Sequence, residues 1–277
     1  MSLSRGRSPS AAVAPAWVAL CLCALLVSSC GRPAPRTAPG TTASRQQQVT
    51  ISVVATTDVH GRIGSLPWLS GHLKNLRDVR RAHGGDVLLV DAGDMWQGTL
   101  ESNLGEGAAM VRAYNAIGYH AAAIGNHEFD FGPAGAQTVP RKPGDNPTGN
   151  IEVRARQARF PLLAANIVRR DGRPWTPPNV MPSTMITMAG VRIGLVGVTT
   201  AGTRQSTDPR NLVDLEILPL RDAIEREATQ LRQAGATVII VLAHAGGGCT
   251  SFADAEDLSA CRTQGEIFQV ARALPPG

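Results

Sequence analysis

Residues 121–132 read AAAIGNHEFDFG, and the rest of the chain is organised around this stretch. Ala121, Ala122, Ala123 and Ile124 are small or apolar and have the length of a short buried strand. Gly125 then allows a turn sharp enough to leave Asn126 and His127 at the strand's mouth. This sets an uncharged amide oxygen, a hard ligand, beside an imidazole, which binds metal or donates a proton. Asp130, three residues further on, is placed to hydrogen-bond the ring and fix its tautomer. Such a cluster suits phosphate chemistry. A lone Asn-His pair would more often cap the next element, but this one has company on both sides.

Upstream, Val49 to Thr56 (VTISVVAT) is a β-branched run that reads as a buried strand, delivering Asp58 and His60 to its carboxyl end. Pro67 to His83 reads as an amphipathic helix with Leu69, Leu73, Leu76 and Val79 inward and Lys74, Arg77, Arg80 and Arg81 on its solvated face. A second strand, Val87 to Asp91 (VLLVD), ends in Ala92-Gly93-Asp94. Gly107 to Ile117 is helical, with Met110, Val111, Tyr114 and Ile117 on one stripe.

Downstream, Thr138 to Asn150 is a Pro- and Gly-rich loop, Pro161 to Ile167 and Val191 to Val198 are strands, and Met181 to Ala189 leads into a turn at Gly190. Leu220 to Gln233 is the clearest helix. Ala236 to Leu242 (ATVIIVL) is a strand that hands over to His244 and Gly246 to Gly248. Strands alternating with helices, with polar residues at the strand carboxyl ends, indicate an α/β layered fold.

Four strand ends therefore contribute one kind of residue: Asp58 and His60, Asp94, Asn126 and His127, and His244. Carboxylate, amide and imidazole together suit manganese, iron, cobalt, nickel or zinc better than magnesium or calcium alone. Asp94 can bridge two ions. Two cations roughly 3.5 to 4 Å apart lower the pKa of a shared water and clamp a phosphoryl group for in-line attack. Gly93 and Gly125 remove the Cβ atoms that would hold backbone and ligand apart.

The segments TTDVHGRIG (56–64), DAGDMWQGT (91–99), IGNHEFDFG (124–132) and LAHAGGG (242–248), with LLAANI (162–167) and GVRIGLVGVTT (190–200), closely resemble the 5'-nucleotidase branch of the calcineurin-like metallophosphoesterases. The resemblance implies a layered metallophosphoesterase-like β-sandwich flanked by helices and two divalent metal ions. Asp58 and His60 would hold the first ion, Asp94 would bridge, and Asn126 with His244 would hold the second. His127 matches the catalytic histidine, which meets the phosphate or protonates the leaving oxygen, and Asp130 the acid that orients it. Asp91 and Gln97 are expected to be structural, and His72, His83 and His120 to be surface residues. The family closes its site with a strand ending in G-H-x-H, which is not found before Gly277. The expectation is an incomplete member with its last strand missing, each ion one ligand short, and so weak metal binding and little turnover.

The chain has 277 residues, 43% of them apolar, enough for one large domain or a domain and a half. Arg5 and Arg7, the apolar run Ala16 to Val27 and a small-residue site make residues 1–29 a secretory signal, too short in its apolar part to span a bilayer. Val27-Ser28-Ser29-Cys30 resembles a bacterial lipobox, so Cys30 is expected to be lipidated and to anchor the protein facing the periplasm or cell exterior; the alternative is an ordinary cleaved signal. Residues 30–48 read as a disordered tether and 49–277 as the catalytic domain.

Losing Arg5 and Arg7 takes the formal charge from +5 to +3, since no acid precedes Cys30, and no basic patch with interleaved aromatics appears. Nucleic acid is not an expected partner. Cys249 and Cys261 favour a loop-closing disulfide over a zinc site or a nucleophile. The functional expectation is a phosphoesterase acting on extracytoplasmic nucleotides or related phosphate esters. The alternatives are a non-catalytic lipid-anchored nucleotide-binding protein, or a relative specialised for sulfur-linked or sugar-nucleotide substrates.

Overall fold

A computed structural model describes residues 48–251, 253, 254 and 256–275. The signal at 1–29, Cys30 and the tether up to residue 47 lie outside the described residues. The first half forms β1 (Ile51–Thr56), α1 (Leu66–Ala82), β2 (Asp86–Asp91), α2 (Leu100–Asn103), α3 (Ala108–Ile117), β3 (Ala121–Ala123) and α4 (Gly149–Gln157). Short strands follow: β4 (Leu162–Leu163), β5 (Ile167–Arg169), β6 (Val180–Met181) and β7 (Ser183–Met188). Then come β8 (Val191–Thr199), α5 (Thr203–Ser206), β9 (Leu215–Ile217), α6 (Leu220–Gln233), β10 (Val238–His244) and α7 (Glu266–Ala273).

A parallel five-stranded sheet runs β1-β2-β3-β4-β6. A three-stranded sheet runs β10-β8-β7, with β10 parallel and β7 antiparallel to β8. β5 and β9 pair separately.

The central strands are apolar on both faces because both faces are covered, whereas β1, expected to be buried, is the edge of the first sheet with no fully buried residue and Val53 50% exposed. Along β2, Leu88 and Val90 pack with Met188, Ile193, Leu195 and Leu242 of the second sheet, while Val87 and Leu89 pack with Leu73, Met110, Val111 and Tyr114 of the helices. β8 repeats the pattern, Ile193 and Leu195 facing the first sheet, Val196 and Val198 facing Leu220, Ile224 and Leu231 of α6. Successive side chains on a strand point oppositely, so each run feeds two hydrophobic layers. The result is helices, sheet, sheet, helix, with a burial gain of about 1.5–3 kcal/mol for each large apolar side chain.

Several expectations require correction. Val79 is 52% exposed, because at about 100° per residue it falls off the stripe of Leu66, Leu69 and Leu73. Two of the basic residues on α1 are tied down: Arg77 donates to the carbonyls of Ile117 and Gly118, and Arg80 to the Ser52 hydroxyl. His120 is half-buried rather than on the surface, its Nδ1 3.0 Å from the Leu89 amide, and burial lowers its pKa. The loop at 138–150 gives way to α4 at Gly149. The strand expected over 161–167 breaks after Leu163, where the chain leaves the first sheet and the Ala165 amide donates to Gly197 of β8.

Candidate functional site

β1, β2 and β3 are parallel and adjacent, so their carboxyl ends release the chain at one edge of the sheet. The segments beyond β1 and β2 stay paired: Asp58 N–H donates to Gly93 C=O, His60 N–H to Asp94 C=O and Gly61 N–H to Met95 C=O, at 3.0, 3.0 and 2.9 Å. Asp58, His60 and Asp94 are held at φ of 53°, 49° and 59°, a left-handed conformation costing on the order of 1 kcal/mol each. A Cβ on Gly125 would stand 2.2 Å from Asp94 Oδ1, and one on Gly93 2.8 Å from the Gly125 nitrogen. The two loops approach closely only because neither residue has a side chain.

Asp94 is 2% exposed and divides its carboxylate between two tasks. Oδ1 accepts the His127 backbone N–H at 2.9 Å. Oδ2 lies 3.1 Å from His244 Nε2 and 3.8 Å from His60 Nε2. His244 Nε2 is also 2.9 Å from Asn126 Oδ1, and His60 Nε2 is 3.6 Å from Asp58 Oδ1. Both histidines have Nδ1 against a backbone carbonyl, Gln97 for His60 at 2.9 Å and Ala92 for His244 at 3.2 Å. Those carbonyls can only accept, so Nδ1 of each ring carries a hydrogen, and the second proton on His244, shared at Nε2 with Asp94 and Asn126, is the one a cation would displace to meet the nitrogen lone pair. Lone pairs on imidazole, amide and carboxylate thus converge where a cation would satisfy them, and the residues fit divalent ions.

The ligand atoms gather into two groups that share Asp94: Asp58, Asp94 and His244, and His60, Asp94 and His127, each within 4.8 Å. Asp58 reaches toward both groups. His127 joins the His60 group, its ring 5.1 Å from that of His60. Its Nδ1 lies 2.5 Å from Asp130 Oδ2.

Burial pushes the Asp94 carboxyl up, but the hydrogen bond and charge of His244 outweigh it and hold the group below the usual range. His244 moves the other way, its burial overcome by the Asp94 hydrogen bond and charge. For His127, burial is likewise outweighed by the hydrogen bond to Asp130 and the charge of Asp94, and its pKa rises.

Glu128 escaped the sequence reading. It is 0% exposed and its two oxygens accept the backbone amides of Asp94 (2.9 Å), Met95 (2.8 Å), Trp96 (3.3 Å) and Gly125 (2.8 Å). One carboxylate thereby braces both ligand loops. Burial, helped by the Asp94 charge, pushes it up to about 8 against the pull of those amides. The available signal was an acidic residue inside an otherwise small and apolar stretch.

Gln97 takes part through its backbone carbonyl, and Asp91 is fully buried, accepting from Thr56, Tyr114 and Gly93. Beyond His244, Cys249 and Cys261 are joined with an S–S distance of 2.04 Å.

Residues 51–265 match the calcineurin-like phosphoesterase family. The chain belongs to that family. Among curated relatives of this calcineurin-like phosphoesterase, a snake venom 5'-nucleotidase of Gloydius brevicauda is 30% identical over 213 residues, covering 71% of this chain and 33% of its own. A 5'-nucleotidase of Rattus norvegicus is 30% identical over 254 residues, covering 86% and 38%. The chain thus spans between a third and two-fifths of the length of these relatives. The fold is shared with a 5'-nucleotidase precursor from Thermus thermophilus, with a TM-score of 0.54 and 24% identity over 70% of this chain and 36% of that one.

Proposed function

We propose that this calcineurin-like phosphoesterase hydrolyses nucleotides or related phosphate esters outside the cytoplasm with two divalent cations, from the set manganese, zinc, iron, cobalt and nickel. The observation that carries the reading is Asp94 Oδ2, set between His60 Nε2 and His244 Nε2 with Asn126 Oδ1 beside the latter. Asp58, His60 and Asp94 hold one cation; Asp94, Asn126 and His244 hold the other. Bound there, the cations supply Lewis acidity and an activated water nucleophile. The chain supplies the rest. Asp130 holds the Nδ1 side of His127, which leaves Nε2 to hydrogen-bond the phosphoryl group and to give a proton to the leaving oxygen. Glu128 keeps the two ligand loops in register.

Support for nucleotide substrates comes from the family and from relatives that carry the name 5'-nucleotidase. The test is release of phosphate from nucleoside monophosphates by the full-length protein with manganese or zinc. Chelation should abolish it, and His127→Ala should lower turnover about 10²- to 10⁴-fold. A rate that survives both changes would sink the reading, and nucleotide affinity with no turnover would favour a binding protein instead.

We further read Cys30 as a lipid anchor, on the strength of the apolar run at 16–27 and the Val-Ser-Ser-Cys that follows it. Among the described residues no helix is long and apolar enough to cross a membrane. Globomycin or Cys30→Ala should block maturation and free the protein from membranes; unchanged processing would remove the anchor.

A further inference from the structure

Asp130 has a second partner. Its Oδ2 meets His127 Nδ1, and its Oδ1 accepts the Thr207 hydroxyl at 2.8 Å. Thr207 follows α5, on the segment that leaves β8 of the second sheet, whereas His127 and Asp130 follow β3 of the first. The segment is itself fastened. Thr199 and Asn166 exchange two hydrogen bonds, at 2.9 and 2.8 Å, where the segment begins. Arg204 donates to the carbonyls of Leu212 and Leu215, and the Thr207 amide donates to Thr203 C=O at 3.1 Å. Asn211, fully buried, donates to the carbonyls of Phe129 and Thr138, both at 2.8 Å, gripping the turn that carries Asp130. The His127 turn is therefore held from the opposite sheet at two points, one on its backbone and one on the carboxylate.

We propose that Thr207 is a positioning residue for the His127–Asp130 pair: by occupying Asp130 Oδ1 it fixes the carboxylate plane so that Oδ2 stays on His127 Nδ1. The physical need is clear, because rotation about χ2 of an aspartate is broad and one hydrogen bond leaves it free to swing. Two bonds, one to each oxygen, define the plane, and a donor to an ionised carboxylate is among the stronger neutral-to-charged contacts. The consequence for turnover rests on the proposed role of His127; the consequence for the ring does not.

Two substitutions separate the hydroxyl from the side chain's bulk. Thr207→Val keeps the shape and removes the donor, while Thr207→Ser keeps the donor. Without metal, the ring ¹⁵N chemical shifts of His127 should be the same in the unsubstituted protein and Thr207→Ser, and should move in Thr207→Val. With manganese and a nucleoside monophosphate, Thr207→Val should lower kcat about 3- to 30-fold, the loss expected for one such hydrogen bond, with KM unchanged within about 2-fold. Thr207→Ser should retain the rate, and Thr207→Val should add nothing to Asp130→Ala. Unchanged shifts in Thr207→Val, or Thr207→Ser as impaired as Thr207→Val, would overturn the proposal. Should no nucleotide be hydrolysed by the unsubstituted protein, the functional reading falls, and the shifts alone decide the role of Thr207.

Discussion

Asp94, Glu128 and Asp91 are buried carboxylates gathered beneath the same loops, and each has a different occupation. Asp94 faces the imidazoles of His60 and His244, Glu128 faces backbone amides, and Asp91 faces two hydroxyls and an amide. Like Glu128, Asp91 is one whose protonation should register in stability. Burial raises its carboxyl from 3.8 to about 7, its three donors pulling the other way. A folded-state value above the unfolded one means that the stabilisation is full below pH 3.8 and is lost as pH rises toward 7. Replacing Asp91 by Asn removes that dependence and leaves an amide facing the Gly93 N–H. The substitution should therefore destabilise the protein most at acid pH, with the gap to the unsubstituted protein narrowing between about pH 4 and 7. Denaturant titrations of both proteins across that range check it; a constant gap would show that Asp91 stays ionised throughout.

The strands and helices divide by how much of their environment is written locally. β2 and β8 were legible as apolar runs because both faces are covered, β1 and β10 as β-branched runs although each is a partly exposed sheet edge, and α6 because its stripe of Leu220, Ile224 and Leu231 repeats at helical spacing. α4 and α7 were missed. The first is rich in charged and polar residues, and the second buries none of its residues. β4 and β5 were merged because LLAANI looks continuous, yet Asn166 hydrogen-bonds Thr199 and Leu218 and the chain changes sheets there. A two-residue strand in the middle of a sheet is sustained by its neighbours' ladders and shows almost no period of its own.

At the level of the molecule, the site lies across a seam. Asp58, His60, Asp94 and Asn126 follow strands of the five-stranded sheet, whereas His244 ends β10 of the three-stranded one. Cations held by all of them, as proposed, would join the two sheets, so metal binding should stabilise the fold by mass action, about 2.7 kcal/mol at a hundredfold excess over Kd. Calorimetry should show Tm rising with manganese or zinc. His244→Ala should lose much of that rise, whereas His72→Ala, on an exposed position of α1, should keep it. An equal rise in both variants would place the ions within one sheet.

The order of residues was enough to reach the family, the layered α/β fold and a candidate ligand set, since these depend on short motifs of Gly, Asp, Asn and His directly after apolar runs. It could not supply the partners of those motifs. Glu128 beneath the Asp94 loop, the carbonyls of Gln97 and Ala92 that orient two imidazoles, and Thr207 behind Asp130 all act across 32 to 152 positions of chain. A motif states which atoms can bind. Only packing, which brings remote backbone amides, carbonyls and hydroxyls to hydrogen-bonding distance, decides which lone pairs remain to face the site.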